Sequence, residues 1–370
     1  MFHRKKISFK KIDLTLIITV LVLCIYGLIV LYSATYSYGP GRYMTSQIVA
    51  TVVGVFMIIF LLTFNQDLLK QLHIPIYLVM NILLVLVLIL GTGDDSWGAR
   101  SWLRLGPVNF QPSEFAKIGL LICLATFIEN HRHHLSHPKT VFKLLLYVAV
   151  PLGLIALQPD FGTLIVFVFF IAVMLFAAGL DLRYFFAALA LGIVSLPVFY
   201  ASLDEFQKNR ILNFLDPMRD IGDTGYQANQ GRIAIGSGQF SGRGYLQGVQ
   251  TQYNFIPTKE TDYIFAVLVE ELGMLGGFAL IILYTVMLYR IVRISIESKD
   301  LFGRVLCIGI AAMFLFHIFE NIGMTIGLMP ITGIPLPFFS YGGTFQLSNL
   351  ICIGLVLSCA IQKQPLDFSE

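Results

Sequence analysis

Apolar residues along this chain gather into long runs that polar segments separate. Ten such stretches can be marked, and most approach the roughly 20 residues that an α-helix needs to cross a bilayer. Because hydrocarbon satisfies no backbone hydrogen bonds, each run is predicted to be a membrane-spanning helix. The stretches cover residues 13–34, 44–64, 74–91, 113–129, 141–158, 161–180, 184–200, 263–290, 303–327 and 341–361.

The composition excludes an ordinary soluble protein. Hydrophobic residues make up 56% of the 370 residues and charged residues only 13%, which is too few to cover a water-soluble surface. The first apolar run is too long for a cleavable signal peptide, so it is predicted to remain as the first span. The formal charge of +3 is too small to indicate nucleic-acid binding. We therefore expect one all-α integral membrane domain over residues 1–370.

The positive charges predict how the spans are oriented. An even number of spans puts both termini on one side, and Lys and Arg are enriched in cytoplasmic loops. With the N-terminus inside, 15 of the 25 Lys and Arg residues fall in cytoplasmic segments, whereas the short outer loops hold Arg42, Arg100 and Arg104. Residues 201–262, between spans seven and eight, then form one long extracytoplasmic loop. We expect a multi-pass protein of the cytoplasmic (inner) membrane with both termini in the cytoplasm.

The long loop ends in an acid at the start of the eighth span. Asp262 directly precedes an apolar run that carries the adjacent Glu270 and Glu271. Placing a charged side chain at the edge of the bilayer hydrocarbon costs free energy, so such residues often have a function. The residues alone favour a plain helix cap for Asp262 over a chemical role. The two glutamates point about 100° apart on a helix, so one is expected to line a cavity and the other to meet a neighbouring helix or span nine.

The long loop also carries features that suit an anion. Six glycines lie between Gly231 and Gly248, where backbone N–H groups can converge on an anion. Arg210 and other arginines supply charge for phosphate contacts. The alternative is an amphipathic loop that lies on the membrane. The glycine-rich string lacks the P-loop pattern, so nucleotide binding is not supported.

Polar residues recur at three further outer positions. Glu114 and Lys117 lie one turn apart on span four, where an ion pair either pins helix packing or lines a polar cavity. Asp160 follows a proline and is expected to cap span six, with a phosphate-facing or cation-binding role left open. The segment 321–344 contains three prolines within an apolar stretch. It is therefore expected to be irregular backbone at membrane depth, beside a cavity.

Six motifs follow one another along the chain: FQPSEFAK, QPDFGT, FLDP followed by GYQ, IAIGSG, TDYIFAVLVEELG and SYGGT. Taken in this order, they resemble the SEDS family (shape, elongation, division, sporulation) of RodA and FtsW proteins, with residues 248–257 closer to RodA. The resemblance covers essentially the whole chain and implies a peptidoglycan glycosyltransferase that polymerises lipid II on the outer face of the cytoplasmic membrane during cell elongation, maintaining rod shape. It also implies a class B penicillin-binding protein (a transpeptidase), other elongation-machinery proteins and membrane lipids as partners.

The same resemblance assigns the catalytic acid to Asp262. As a hypothesis, this residue deprotonates the acceptor hydroxyl or helps to hold a cation, in a single displacement with inversion. The residues establish no metal requirement, and a divalent cation such as Mg²⁺ or Mn²⁺ is one candidate for stabilising the pyrophosphate. Glu114 would orient Lys117. Substrate binding is assigned to Arg210, Lys117, Glu114, Arg100, Asp160, Gln227 and Ser340.

The chain departs from the family pattern just before the acid. Where the family usually reads P-E-x-H-T-D, Thr258 and Glu260 replace Glu and His, while Asp262 is kept. Two other classes stay open: a flippase for a lipid-linked precursor, and a non-catalytic scaffold for the transpeptidase. A transporter usually carries paired broken helices in two related halves. Here the polar residues concentrate on one side, which favours an outer-face enzyme.

Overall fold

The computed structural model of the 370-residue chain describes residues 12–63, 66–92, 101–106, 108–202, 205–216 and 224–361. Helices dominate these ranges, and the strands β1 (Leu103–Leu105) and β2 (Val108–Phe110) form a short antiparallel hairpin. The helices are α1 (Leu14–Thr35), α2 (Gly41–Leu62), α3 (Gln66–Gln71), α4 (His73–Leu90), α5 (Pro112–Asn130), α6 (Pro138–Ala156), α7 (Phe161–Ala177), α8 (Leu182–Ser202), α9 (Glu205–Leu215), α10 (Thr224–Gly238), α11 (Val249–Gln252), α12 (Ile264–Ile296), α13 (Leu301–Thr325) and α14 (Gly343–Ile361).

Helices occupy all ten apolar stretches that the hydrophobic pattern predicts. Within the described ranges, seven of them are individually long and apolar enough to cross a membrane: α1, α2, α4, α6, α12, α13 and α14. The apolar parts of α7 and α8 are shorter, and α5 carries two charged residues inside its first turns. The predicted class, an all-α polytopic membrane protein, is confirmed. The number of helices that cross and their orientation stay predictions.

The centre of the bundle is formed by α13 and α14, whose side chains are mostly buried. α7 and α12 pack against α13, α2 packs against α14, and α4 packs against α5. Outward-facing positions are apolar, as at Phe56 and Ile89. Such surface is stable against lipid, because lipid tails are as apolar as the side chains. The five cysteines are free and buried.

Helix α12 is interrupted at Gly273, whose φ of 69° and ψ of −171° are not helical. This conformation favours glycine, because a side chain would be strained there. Residues 239–244 pack against α12 at this break. The Arg243 N–H there donates to the Glu270 carbonyl at 3.0 Å. Backbone groups released inside a bilayer must be satisfied by protein. The inserted segment therefore permits the break.

The long polar segment is helical over much of its described length and packs on α12 through glycines. A Cβ at Gly238 would lie 1.9 Å from the Val269 carbonyl oxygen, and one at Gly248 would lie 2.7 Å from the Glu270 carboxylate. Close backbone approach is thus the role of these two glycines. At these two positions α12 occupies the space beside the glycine, and the anion cradle stays a prediction.

Candidate functional site

Asp262 lies on a tight turn that leads directly into α12. The Thr258 carbonyl accepts the N–H groups of Thr261, Asp262 and Tyr263 at 3.1, 3.0 and 3.3 Å. Thr258 has a φ of 50°, an uncommon conformation for a β-branched residue. The capping position of α12 is Tyr263, which makes no side-chain cap bond. The helix-cap interpretation of Asp262 is therefore wrong, because the turn places its carboxyl one residue too early.

Two buried side chains hold the backbone on either side of the acid. The Ser340 hydroxyl donates to the Thr261 carbonyl at 2.5 Å. The Asn321 side-chain amide donates to the Asp262 carbonyl at 3.0 Å and to the Ile334 carbonyl at 2.8 Å. Ser340 and Asn321 are both completely buried. The backbone of the acid is therefore fixed to α13 and to the irregular segment between α13 and α14.

Burial makes Asp262 a weaker acid than a carboxyl group in water. Loss of solvation raises its pKa from 3.8 to about 6. The Arg210 charge and the Thr261 hydroxyl oppose this increase, whereas the Glu260 charge adds to it. The Asp262 side chain is only partly buried, so a reactant can reach it. A carboxyl group with this pKa is mostly ionised at neutral pH yet basic enough to accept a proton.

Two arginines from the long polar segment face the same turn. Burial and the Asp262 charge raise the pKa of the Tyr263 phenol, whereas Arg210 of α9 and Arg232 of α10 both lower it. The Arg232 guanidinium also lies beside Gly327, where a Cβ would be 3.4 Å from Nε. Arg210 acts on the Asp262 carboxylate and both arginines act on the neighbouring Tyr263 phenol, so this end of the bundle has a positive field. Such a field suits a phosphate group.

A second polar cluster is buried within the bundle. Glu114 and Lys117 of α5 form an ion pair of 2.8 Å, and each side chain is 3% exposed. Glu114 also accepts the Ser348 hydroxyl at 2.9 Å, and Lys117 Nζ lies 3.1 Å from His317 Nε2. His317 Nδ1 faces the Pro335 carbonyl at 3.3 Å, so Nδ1 carries the proton and Nε2 accepts from the ammonium group. The predicted ion pair is present with every charge paired.

Helix α13 joins this cluster to the acid. His317 and Asn321 are one helical turn apart, about 6 Å along the axis, and they hold the adjacent carbonyls of Pro335 and Ile334. The backbone over residues 326–342 is irregular, as the three prolines predict. This irregular segment therefore lies between the ion pair and Asp262, and both clusters position it.

Glu270 and Glu271 each hold a neighbouring element. Glu270 accepts the N–H groups of Gln250 and Thr251 at 2.7 and 3.0 Å, so it caps α11. Glu271 accepts the Ser33 hydroxyl of α1 at 2.6 Å. The expectation that one glutamate meets a neighbouring helix is confirmed. The expectation that the other lines a cavity is wrong, because the Glu270 carboxylate is completely buried and binds backbone N–H groups.

The remaining predicted site residues are placed as follows. Asp160 caps α7, since its carboxylate accepts the Thr163 N–H at 3.1 Å. Burial raises the pKa of Asp160, whereas the Thr163 hydrogen bonds and the Lys117 charge oppose the increase. The Ser340 hydroxyl is engaged within the protein, and Gln227 lies partly exposed on α10. Their roles in substrate binding stay predictions. Arg100 lies outside the described residues.

Sequence reasoning missed Lys259. A lysine between Thr258 and Glu260 in a polar stretch is typical of a solvated loop, yet the Lys259 side chain is 2% exposed. Its ammonium group binds protein oxygens on two other elements. In a helix or a strand, the spacing of apolar residues indicates which positions are buried. A turn has no such regular spacing, so the sequence does not indicate that Lys259 is buried.

The described residues contain no group of three or more His, Cys, Asp or Glu side chains placed to hold a metal ion. Near Asp262, the Glu260 carboxylate accepts the Tyr38 hydroxyl at 2.7 Å. A divalent cation at Asp262 would therefore need most of its oxygen ligands from substrate or water. The described residues therefore supply no complete metal site of their own, and the cation stays a prediction.

Comparison with known proteins places the chain in a family. The model of the FtsW, RodA and SpoVE proteins, described as a cell cycle protein, matches residues 14–364. The chain belongs to this family. It is similar to the peptidoglycan glycosyltransferase MrdB of Escherichia coli K12, with 35% identity over 97% of this chain and 96% of the relative. It is also similar to the stage V sporulation protein E of Bacillus subtilis 168, with 34% identity over 94% and 96%.

Solved structures have the same fold along the whole chain. One, from work on the structural coordination of polymerization and crosslinking by a peptidoglycan synthase complex, superposes with a TM-score of 0.81 at 31% identity, covering 94% of this chain and 97% of that one. The rod shape determining protein RodA of Thermus thermophilus superposes with a TM-score of 0.72 at 29% identity, covering 96% and 98%.

Proposed function

We propose that this chain is a peptidoglycan glycosyltransferase that polymerises lipid II into glycan strands during cell elongation and so maintains rod shape. Full-length relatives that carry the name peptidoglycan glycosyltransferase support the reaction class. The observation that carries the proposal is Asp262: one partly accessible carboxyl group with a pKa of about 6, on a turn fixed by buried side chains. Such a carboxylate suits a general base.

The proposed step is a direct displacement at the sugar. The Asp262 carboxylate accepts the proton of the acceptor hydroxyl while that oxygen attacks the anomeric carbon of the donor. The bond from this carbon to the pyrophosphate oxygen breaks, and the electron pair leaves with the lipid pyrophosphate. One base without a partner nucleophile fits a single displacement with inversion. The carboxyl proton then passes to water.

The leaving pyrophosphate needs positive charge beside the base. Arg210 and Arg232 supply this charge, because both act electrostatically on the turn that carries Asp262. The buried pair of Glu114 and Lys117 has the further role of fixing the irregular segment through His317. Because the two arginine side chains are already placed beside the turn, they need not rearrange when the pyrophosphate leaves.

The cellular setting follows from the same proposal. The loop charges favour the outer face of the cytoplasmic membrane for the Asp262 end of the bundle. A solved relative comes from a synthase complex that couples polymerization with crosslinking, which supports a transpeptidase of the class B penicillin-binding proteins as partner. Other elongation proteins would join this pair.

The decisive experiment gives purified protein, with and without that partner, fluorescent lipid II. We expect glycan polymer from the wild type and none from Asp262→Ala. Asp181→Ala is the matched control, because Asp181 is exposed just before α8 and pairs there with Arg183. Movement of lipid II between leaflets without polymer would indicate a flippase and refute the enzyme. Polymer from the partner alone, unchanged by the chain, would indicate a scaffold.

A further inference from the structure

The turn before Asp262 contains a buried cation without a carboxylate contact in the described residues. Lys259 Nζ donates to the Thr251 carbonyl at 2.5 Å, to Asn254 Oδ1 at 2.8 Å and to Ser37 Oγ at 3.0 Å. The Tyr38 ring lies 4.9 Å from the same ammonium group. A buried charge is costly unless it is fully hydrogen-bonded. All three of its protons are used.

The three acceptors belong to different parts of the fold. Ser37 follows the end of α1, Thr251 lies in α11, and Asn254 follows α11. Ser37 Oγ also donates to Asn254 Oδ1 at 2.7 Å, and the Thr251 hydroxyl donates to Glu270 at 2.6 Å. Lys259 is therefore the point where α1, α11 and, through Glu270, α12 meet the turn that carries the acid.

We propose that Lys259 is a positioning residue for Asp262, whose buried ammonium group ties the turn 257–263 to the ends of α1 and α11. The inference rests on the proposed function, since it concerns the placement of the base. Ser340 and Asn321 hold the turn from the side of α13 and the irregular segment. Lys259 holds it from the opposite elements. Without it, Thr258 is left in a strained conformation with support on one side.

The protonated side chain satisfies all three acceptors at once. A neutral amine has two protons and a lone pair, so one contact is lost unless the Ser37 hydroxyl turns its proton away from Asn254 Oδ1 toward the nitrogen. Burial lowers the pKa of Lys259 to about 8, whereas the charges of Glu260, Glu271 and Glu270 raise it. Among the described residues, the Tyr38 phenol also faces it. Loss of the Lys259 proton above pH 8 therefore releases the anchor while Asp262 stays ionised.

Three variants test this role in the full-length protein with fluorescent lipid II. Lys259→Met keeps the length of the side chain and removes its charge. We expect kcat at pH 7 to fall on the order of 10-fold or more, since small displacements of a catalytic group are that costly, with little change in KM. Lys299→Met is the matched control, because Lys299 is exposed on a different loop.

The sharper variant is Asn254→Asp, which keeps the acceptor oxygen and adds a negative charge 2.8 Å from the Lys259 ammonium group. An opposite charge this close raises the pKa of a lysine by about one to three units. The alkaline decline of kcat, expected near pH 8 in the wild type, should move upward by at least about one unit. In Lys259→Met this decline should be absent. A residue that only packs would not shift the profile.

Hydrogen exchange supplies a readout apart from activity. The N–H groups of Thr261, Asp262 and Tyr263 are held by Thr258, so Lys259→Met should speed their exchange, with the melting temperature confirming a folded protein. Equal kcat in the wild type and Lys259→Met, unchanged exchange, or an unmoved alkaline decline in Asn254→Asp would each overturn the inference. Absence of polymer from the wild type would instead refute the proposed function, and the exchange measurement would still decide whether Lys259 anchors the turn.

Discussion

Replacing Asp262 by Asn removes the ionisable group while keeping its size and shape. Burial raises the pKa of this carboxyl from 3.8 to about 6, which corresponds to roughly 3 kcal/mol against the ionised form. About nine-tenths of the carboxyl is then ionised at pH 7 and about one-tenth at pH 5. If the ionised carboxyl is the base, wild-type turnover should fall about tenfold per pH unit below 6.

The assay is the rate of glycan polymerisation from saturating fluorescent lipid II between pH 5 and 8. The wild type should show an acid midpoint near 6, as the pKa of Asp262 requires. Asp262→Asn should be at least about 100-fold slower at every pH, the usual contribution of a general base. Wild-type rates in Asp262→Asn, or an acid midpoint at pH 4, would refute the reasoning.

The same raised pKa predicts a gain in stability. A carboxyl whose pKa is higher in the folded than in the unfolded state destabilises the fold where it is ionised, and the penalty disappears below the unfolded pKa. Asp262→Asn should therefore be more stable at pH 7.5, by up to roughly 3 kcal/mol, with the difference shrinking toward pH 4. Loss of the counter-charge to Arg210 reduces this gain. A lower melting temperature at pH 7.5 would contradict the assignment of burial as the main cause.

Two further predictions concern packing. Glu114→Gln leaves the Lys117 charge buried without its partner, so the free energy of unfolding should fall by about 3–5 kcal/mol; the double variant with Lys117→Met should recover most of it, and denaturation in detergent measures both. Gly238→Ala places a Cβ 1.9 Å from the Val269 carbonyl oxygen, so it should destabilise by about 1–3 kcal/mol or more. Gly236→Ala, which meets nothing within 4 Å, is the control and should melt no lower than the wild type.

Hydrophobic runs were sufficient to predict the helices, because a bilayer requires about 20 apolar residues in one continuous segment. Proline content was likewise sufficient for the irregular segment after α13, since proline removes a helical hydrogen bond. The ion pair of Glu114 and Lys117 followed from their spacing on one helix. Each of these predictions depends on residues that are close together in the sequence.

The predictions that were wrong depend on partners distant in the sequence. Spacing shows that Glu270 and Glu271 point apart. It does not show that Glu270 binds α11, 20 residues away in the sequence, or that Glu271 binds Ser33, 238 residues away. The glycines of the long segment met the general pattern for anion binding. Their close contact with Val269 and Glu270 of α12 joins two segments that are separate in the sequence, and no local pattern reveals it.

These distant contacts share one consequence for the acid. The broken helix α12 is held to the inserted segment, Glu270 caps α11, and Lys259 joins α11 to the turn of Asp262. In the proposed reaction a lipid-linked substrate would diffuse in the membrane and bring flexible sugars to the site, which would not hold the base in place. The protein must hold the carboxyl in place beforehand, because a general base acts only within hydrogen-bond reach of the proton it removes. The buried charges around this turn, costly for folding, are therefore best explained by the rigidity they give to one carboxylate.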